Sequence, residues 1–452
     1  MPNALYVATQ EGAVGRLDFD AQQNLYRFTY DADWPARREA FPLSPHIPLS
    51  GDASPAGAVH RFIANLLPEG RALDVASVVY QVSKDNTYGL IRMLGKEPVG
   101  ALSFLAADEN GRPVPSDEQP LARRGISPDE LSQRIRERDA IPFPVWDGKV
   151  RLSVAGYQDK LQVLVEGERI SLADGPLSST HILKPESRSA VTPCMVANEH
   201  FCMTLASRIG LPTAPVSIRR MPDPILLIGR FDRIVEVDPS DGETVLSVRR
   251  RHVIDGCQAL DLPVTFKYER NFGNTPDVRN IREGVSFERL FSLEPYLDSP
   301  AGARTFMIRW ALYQLLIGNS DAHGKNLSFF LQDGGLRPAP LYDLVSVNAY
   351  GEHVEQDMAM GYGDAFRLDD VTPFALADFA QRTGTAPRYL VREITRMAQA
   401  AQALAPELAS SEVYVGDERV LVRAIADFIG VQAGRLLRFA PMIAQVDRKL
   451  LL

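Results

Sequence analysis

The residues best suited to chemistry lie in one stretch, Gly318-Asn319-Ser320-Asp321-Ala322-His323-Gly324-Lys325-Asn326, and in Leu341-Tyr342-Asp343 just beyond it. An aspartate and an asparagine in the spacing D-x-x-x-x-N, followed by a second aspartate, suit phosphoryl transfer. Asp321 would accept or orient the proton of an attacking hydroxyl. The Asn326 amide oxygen and the Asp343 carboxylate would hold magnesium, which takes oxygen ligands and usually only one or two carboxylates beside phosphates. Lys325 would neutralise the transferred group. Taken singly, Asp and Asn are ordinary cap and turn residues. The ordered set of Asp321, His323, Lys325, Asn326 and Asp343 is what carries the reading. Asp321-Ala322-His323 is also a D-x-H triplet, which makes a metal-dependent phosphoesterase an alternative. Such a site needs several further His and Asp ligands, and the chain has only 7 histidines.

Three other segments fit a nucleotide. Arg151-Leu152-Ser153-Val154-Ala155-Gly156-Tyr157-Gln158-Asp159-Lys160 falls at a hairpin bend whose backbone N–H groups could cradle phosphates, although its single glycine suits an ordinary turn equally. Lys184 ends the run Thr180-His181-Ile182-Leu183, where protein kinases carry a phosphate-gripping lysine; a lysine at a strand end is also commonly just a solvated charge. Glu199, on the next helix, is a possible partner for it. Leu227-Ile228-Gly229-Arg230-Phe231-Asp232-Arg233 joins two expected lobes, where backbone groups and Phe231 could hold adenine; Phe231 fits a core position as well.

The elements that must position these residues divide the chain in two. Alternating runs predict strands over Leu5–Ala8, Gly15–Phe19 and Tyr26–Tyr30. Helical spacing predicts Ala58–Leu67 and Ala72–Val82, and Asp108–Pro120 reads as a linker. Val150–Val154 and Lys160–Val165 suggest a hairpin. Arg169–Leu172, Thr180–Lys184 and Pro224–Ile228 read as further strands, with a helix over Met195–Ile209 stopped by Gly210 and Pro212. Beyond about residue 285 the pattern is helical: Phe287–Leu293, Arg304–Ile317, Pro373–Arg382, Pro387–Leu404 and Glu418–Phe439. The exception is a hairpin, Leu327–Leu331 and Leu336–Leu341, around Asp333-Gly334-Gly335. An α+β, bilobal fold follows, β-rich first and helical second.

The 452 residues, 45% hydrophobic and 23% charged, are ordinary globular composition and exclude a disordered or collagenous chain. Against 49 Lys+Arg stand 57 Asp+Glu, a net charge of −8, so overall charge does not make this a bulk nucleic-acid binder. Arg249-Arg250-Arg251-His252 reads as a solvated loop, with contact to DNA phosphates as the alternative. Cys194, Cys202 and Cys257 are odd in number and contain no CxxC pair, which fits a reducing cytosol better than a zinc site. No signal peptide or membrane span is expected.

Taken together, these segments resemble the HipA family, the serine/threonine-kinase toxins of bacterial toxin–antitoxin modules. Phe41-Pro42-Leu43-Ser44 and Asn65-Leu66-Leu67-Pro68-Glu69 resemble its N-terminal subdomain. Ser153–Lys160 resembles its phosphate loop, Thr180–Lys184 its ATP-lysine strand, and Gly318–Asn326 with Leu341–Asp343 its catalytic and metal motifs. Asp357-Met358-Ala359-Met360-Gly361 matches a segment of the helical lobe.

The resemblance implies an N-terminal subdomain over 1–120, a β-rich ATP-binding lobe over 121–230 and a helical catalytic lobe over 231–452. It implies Asp321 as proton acceptor, and Asn326 and Asp343 on Mg2+. ATP would be held by Ala155, Gly156, Tyr157, Gln158, Asp159, Lys160, Lys184, Gly229, Arg230, Phe231, His323, Gly324, Lys325, Asn326, Tyr342 and Asp343. Ser153 would be autophosphorylated. The implied partners are a HipB-like helix-turn-helix antitoxin, operator DNA mainly through that antitoxin, and a protein substrate such as glutamyl-tRNA synthetase or another aminoacyl-tRNA synthetase. No membrane partner is implied, and the expected location is cytoplasmic. A catalytically silent nucleotide-binding co-repressor is the non-enzymatic alternative. Two departures stand out: Tyr157 replaces a small residue of the loop, and Gly229 stands where an acidic side chain is frequent.

Overall fold

A computed structural model describes residues 3–49, 55–106, 122–151, 158–174, 177–332 and 335–451. Ser153, Ala155, Gly156 and Tyr157, and the linker expected over Asp108–Pro120, lie outside the described residues. The chain forms two compact units, and each draws on several stretches of sequence. The first holds Met1–Pro185, Arg219–Ile254 and Phe330–Gly335; the second holds Glu186–Ile218, Asp255–Phe329 and Leu336–Leu452.

The first unit opens with β1 (Asn3–Thr9), β2 (Gly12–Asp20) and β3 (Leu25–Tyr30). Helices α1 (Ala56–Ala64), α2 (Gly70–Tyr80) and α3 (Thr87–Leu94) follow, then β4 (Ser103–Ala106). The antiparallel sheet runs β3-β2-β1-β4. Its alternation buries Leu5, Val7, Leu17 and Phe28 on one face, as period-2 patterning requires.

Next come β5 (Ala122–Ile126), α4 (Pro128–Arg136), β6 (Val145–Trp146) and β7 (Lys149–Val150). They are followed by β8 (Leu161–Glu166), β9 (Arg169–Asp174) and β10 (His181–Pro185). After helix α5 (Met195–Arg208), which belongs to the second unit, come β11 (Val216–Arg220), β12 (Pro224–Gly229), β13 (Arg233–Val237) and β14 (Val245–Arg250). A six-stranded sheet is ordered β11-β12-β10-β8-β9-β5. Leu161, Val163, Leu183, Ile225 and Leu227 from its central strands pack with Phe143 and Trp146 in one core.

One sequence expectation changes here, and another falls largely outside the described residues. Lys149–Val150 pairs with Val145–Trp146 around Asp147 and Gly148, which both take positive φ, the geometry of a tight hairpin turn. Most of the Val150–Val154 half of the expected hairpin is not described, but the Arg151 carbonyl accepts the Gln162 N–H at 3.3 Å. Arg249–His252 is not a solvated loop. Arg250 ends β14 and is buried, with its guanidinium donating to the carbonyls of Lys96, Pro98, Gly100 and Leu102. His252 is buried against Phe41 and bonded to the Leu43 carbonyl, and Arg251 lies over the Phe330 ring. Arg249 alone of the four is exposed.

The chain leaves the first unit within β15 (Val253–Asp255) and continues through α6 (Gly256–Ala259), α7 (Phe287–Phe291) and α8 (Pro300–Ile317). The hairpin β16 (Ser328–Gln332) and β17 (Gly335–Pro338) precedes α9 (Pro373–Arg382), α10 (Pro387–Ala409) and α11 (Asp417–Ile443). Helix α10 packs along α11, and both pack against α8 and α5. From Trp310 to Ile317 every residue of α8 is buried. That explains an apolar helix with no hydrophilic stripe, and it fixes the start of the loop from Gly318 onward. Among the described residues no helix is long and apolar enough to cross a membrane.

Candidate active site

Helix α8 ends at Gly318, which takes a left-handed φ of 65° and returns its N–H to Gln314. A Cβ there would lie 2.7 Å from both Phe428 and Asn348, so the turn needs glycine. The loop beyond is stitched at both ends. The Asn319 side chain donates to the Gln314 amide oxygen at 2.9 Å and accepts the Asp321 N–H at 3.1 Å. Ser320 donates its hydroxyl to the Glu355 carbonyl, and its own carbonyl receives the Ala359 N–H at 2.8 Å. Asp321 itself is exposed.

The turn Gly324–Asn326 is closed reciprocally. His323 Nδ1 accepts the Lys325 N–H at 3.2 Å, and Asn326 Oδ1 accepts the His323 N–H at 3.0 Å. Burial, and next the charge of Lys267, push the His323 imidazole down to about 3, so the ring is neutral and serves as a cap. That occupies one nitrogen a D-x-H metal triplet would offer, and it weakens the phosphoesterase reading. The Asn326 amide then donates to Asp343 Oδ2 at 3.0 Å. Asp343 sits at φ 56°, a left-handed conformation uncommon for non-glycine residues and frequent where function holds the backbone.

The Asn326 and Asp343 side chains therefore stand side by side, the amide nitrogen against the carboxylate and the amide oxygen toward the His323 N–H. A carbonyl oxygen has two lone pairs, so accepting His323 leaves Asn326 Oδ1 one to give. Such oxygen donors fit magnesium, which completes its shell with phosphates and water. The half-buried Tyr342 hydroxyl donates to the Lys325 carbonyl and is bonded to Ser328, which fixes the residue before Asp343. The Lys325 ammonium, expected on the transferred phosphoryl group, is buried and paired with Asp255 at 2.5 Å.

The remaining expected residues belong to the first unit. Lys184 is buried on β10, where the β10–β8 register sets His181 opposite Val163 and Leu183 opposite Leu161. Lys160, the residue before β8, is also buried. Asp159 approaches Arg138 at 3.7 Å, and burial raises its carboxyl. Gln158, Asp159 and Lys160 line a small cavity with Arg71, Ala72 and Pro142. Gly229 ends β12 opposite His181, and the Phe231 ring meets Phe330 edge-on at 6.0 Å.

Residues 227–233, read as a connector between lobes, lie within the first unit, which continues through the β13–β14 hairpin to Ile254. The Arg230 guanidinium is bound to Asp232 and Ser179. Glu199 is buried on α5 in the second unit.

Sequence reasoning overlooked two residues of this site, because neither lies near the motif. Asp255 pairs with Lys325 from 70 residues away, and Tyr268 bonds Asp321 from 53 away. It also overlooked Glu97, whose carboxylate joins Arg230, Arg233 and Ser179 in one buried cluster with Asp232.

Residues 5–105 match the HipA N-terminal domain, and residues 152–405 match the HipA-like C-terminal domain. The serine/threonine-protein kinase toxin HipA of Shewanella oneidensis is 42% identical over 387 residues, 85% of this chain and 84% of that protein. A putative kinase of Sinorhizobium fredii, Y4mE, is 33% identical over 87% of this chain and 89% of its own length. The solved complex of the Shewanella oneidensis toxin–antitoxin system HipA, HipB and its operator DNA matches with a TM-score of 0.86 at 39% identity, covering 98% of this chain and 100% of that one. Fold and site define a serine/threonine protein kinase. The chain belongs to the HipA family.

Proposed function

We propose that this chain transfers the γ-phosphoryl group of ATP, with Mg2+, to a seryl or threonyl hydroxyl of a protein of the translation machinery. An aminoacyl-tRNA synthetase such as glutamyl-tRNA synthetase is the proposed acceptor. The observation that carries the reading is the pairing of Asn326 with Asp343, 3.0 Å apart, on a loop that also presents the exposed Asp321. Asp321 orients the acceptor hydroxyl and takes its proton. Asn326 and Asp343 would hold the magnesium, which neutralises charge on the β- and γ-phosphates when bound. Lys184 and Lys160 hold ATP phosphates. Lys325 acts differently from the simple expectation: paired with Asp255, it braces the loop.

The reading extends to partners by kinship with the Shewanella protein, whose complex contains HipB and operator DNA. A small helix-turn-helix antitoxin would bind this chain, carry most of the DNA contact and make the pair a co-repressor of its operon in the cytoplasm. The net charge of −8 suits a basic, DNA-reading partner. Ser153 is the proposed autophosphorylation site. The proposed division is 1–120, 121–230 and 231–452.

Transfer from radiolabelled ATP tests the core of this. Asp321→Asn and Asp343→Asn should each lower the rate by roughly 100-fold or more with the fold intact, as loss of such groups typically does. A variant that keeps more than about a tenth of the wild-type rate overturns its assignment.

A further inference from the structure

Tyr268 belongs to no motif, yet its hydroxyl donates to Asp321 Oδ1 at 2.7 Å. The length is that of a charge-assisted O–H···O bond to a carboxylate. The strip that carries Tyr268 is fastened on both sides to the loop that carries Asp321. On one side the Lys267 carbonyl receives the Gly324 N–H at 2.9 Å. On the other the Glu269 N–H reaches the Ala359 carbonyl at 2.9 Å, and the Ala359 N–H reaches the Ser320 carbonyl at 2.8 Å. The phenol ring also stands edge-on to the buried His323 ring, centroids 5.2 Å apart and planes at 88°. Backbone and ring are thus both held, and the hydroxyl comes to a fixed place beside an exposed carboxylate.

We propose that Tyr268 is the positioning residue for Asp321. The inference rests on Asp321 being the proton acceptor of the proposed reaction. An exposed carboxylate samples several rotamers, and proton transfer needs one oxygen within hydrogen-bond reach of the acceptor hydroxyl. By engaging Oδ1, the phenol fixes the rotamer in which the carboxylate meets the acceptor hydroxyl. A tyrosyl hydroxyl on the base also has an opposite reading, that of a plug standing where the substrate hydroxyl should be. The stitching favours the first. A plug has to leave, whereas this strip shares backbone hydrogen bonds with the loop it would have to abandon.

The two readings give opposite kinetics. Tyr268→Phe keeps the ring and its contact with His323 and removes only the hydroxyl. With casein as phosphoacceptor and radiolabelled ATP, the positioning role predicts a kcat lower by about ten-fold, the scale of a lost orienting contact. KM for casein and for ATP should stay within about two-fold, and the melting temperature should not change. An unchanged kcat overturns the proposal, and so does a fall in the KM for casein with kcat kept or raised, the signature of a removed plug. Asp321→Asn in the same assay separates the two levels. If it abolishes transfer while Tyr268→Phe is silent, only the positioning role fails. If Asp321→Asn retains activity, the proton-acceptor reading fails with it.

Discussion

Asn326 is asked to do two things with one side chain. Its oxygen closes the turn onto His323 and its amide steadies Asp343, so the residue that would hold the metal also shapes the loop that carries it. Replacing it therefore confounds geometry with ligation, and Lys184 offers a cleaner probe. It is buried at the end of β10, and Lys184→Met keeps most of its stem while deleting the charge. A charged hydrogen bond contributes roughly 1.5–3 kcal/mol, so calorimetry should show ATP binding weakened by about ten-fold or more. Unchanged affinity would return Lys184 to a structural role. At this scale the sequence was legible wherever chemistry is local. Asp321, Asn326 and Asp343 share one loop and one hairpin, and spacing alone brings them to mind. Tyr268 and Asp255 were not legible, because their contacts depend on how distant segments pack, and a tyrosine or an aspartate carries no local sign of its partner.

Among the elements, α8 does most of the positioning, and its exit is the sensitive point. Gly318 must hold φ 65° with Phe428 and Asn348 against it. Gly318→Ala meets both an unfavourable backbone region and two side chains of the second unit. Such strain costs of order 1–3 kcal/mol, and the loop that presents Asp321 begins at the next residue. The expected result is a melting temperature lower by several degrees together with reduced phosphoryl transfer, measured on one preparation. Transfer that survives unchanged would show that the loop is held by Ser320 and Gly324 without this cap.

Long periodic elements were read well: α9 matches its expected span, and α5, α8, α10 and α11 differ only at their ends. Short elements escaped. Helix α3 offers only Thr87–Leu94, too little for a period to stand out. Helix α4 did carry a start signal, Ser127-Pro128-Asp129-Glu130, and the Ser127 side chain caps it, but its mostly polar face hid the rest. The arginines at the end of β14 escape for a different reason. Charge argues for solvent unless acceptors are present, and the carbonyls of Lys96, Pro98, Gly100 and Leu102 lie far off in sequence.

Across the whole molecule the histidines form a common liability. Burial holds His181, His200 and His252 down at about 4 and His323 at about 3. Two belong to each unit. An unfolded histidine titrates near 6.5, so between about pH 6.5 and 4 the unfolded chain binds protons that the folded chain refuses. Stability must then fall as the pH drops through that window, by about 1.4 kcal/mol per pH unit for each proton of difference. Some carboxyl groups oppose the trend. Burial raises Asp159, Glu186, Glu269 and Asp357, so the folded chain takes up protons early at those sites. Glu97 and Asp232, held low by the arginines around them, add their own loss only under more acidic conditions, once they protonate. The imidazoles dominate at pH 5 to 6, because their shifts are the larger and their unfolded value lies just above. Calorimetry at pH 7.5 and 5.0 should show a melting temperature several degrees lower at the acid end. Unfolding at pH 5.0, followed in buffers of different ionisation enthalpy, should take up roughly two to four protons. A flat melting temperature, or proton release, would mean that these histidines are not held neutral inside the fold, and the cap that His323 supplies to the Gly324–Asn326 turn would go with them.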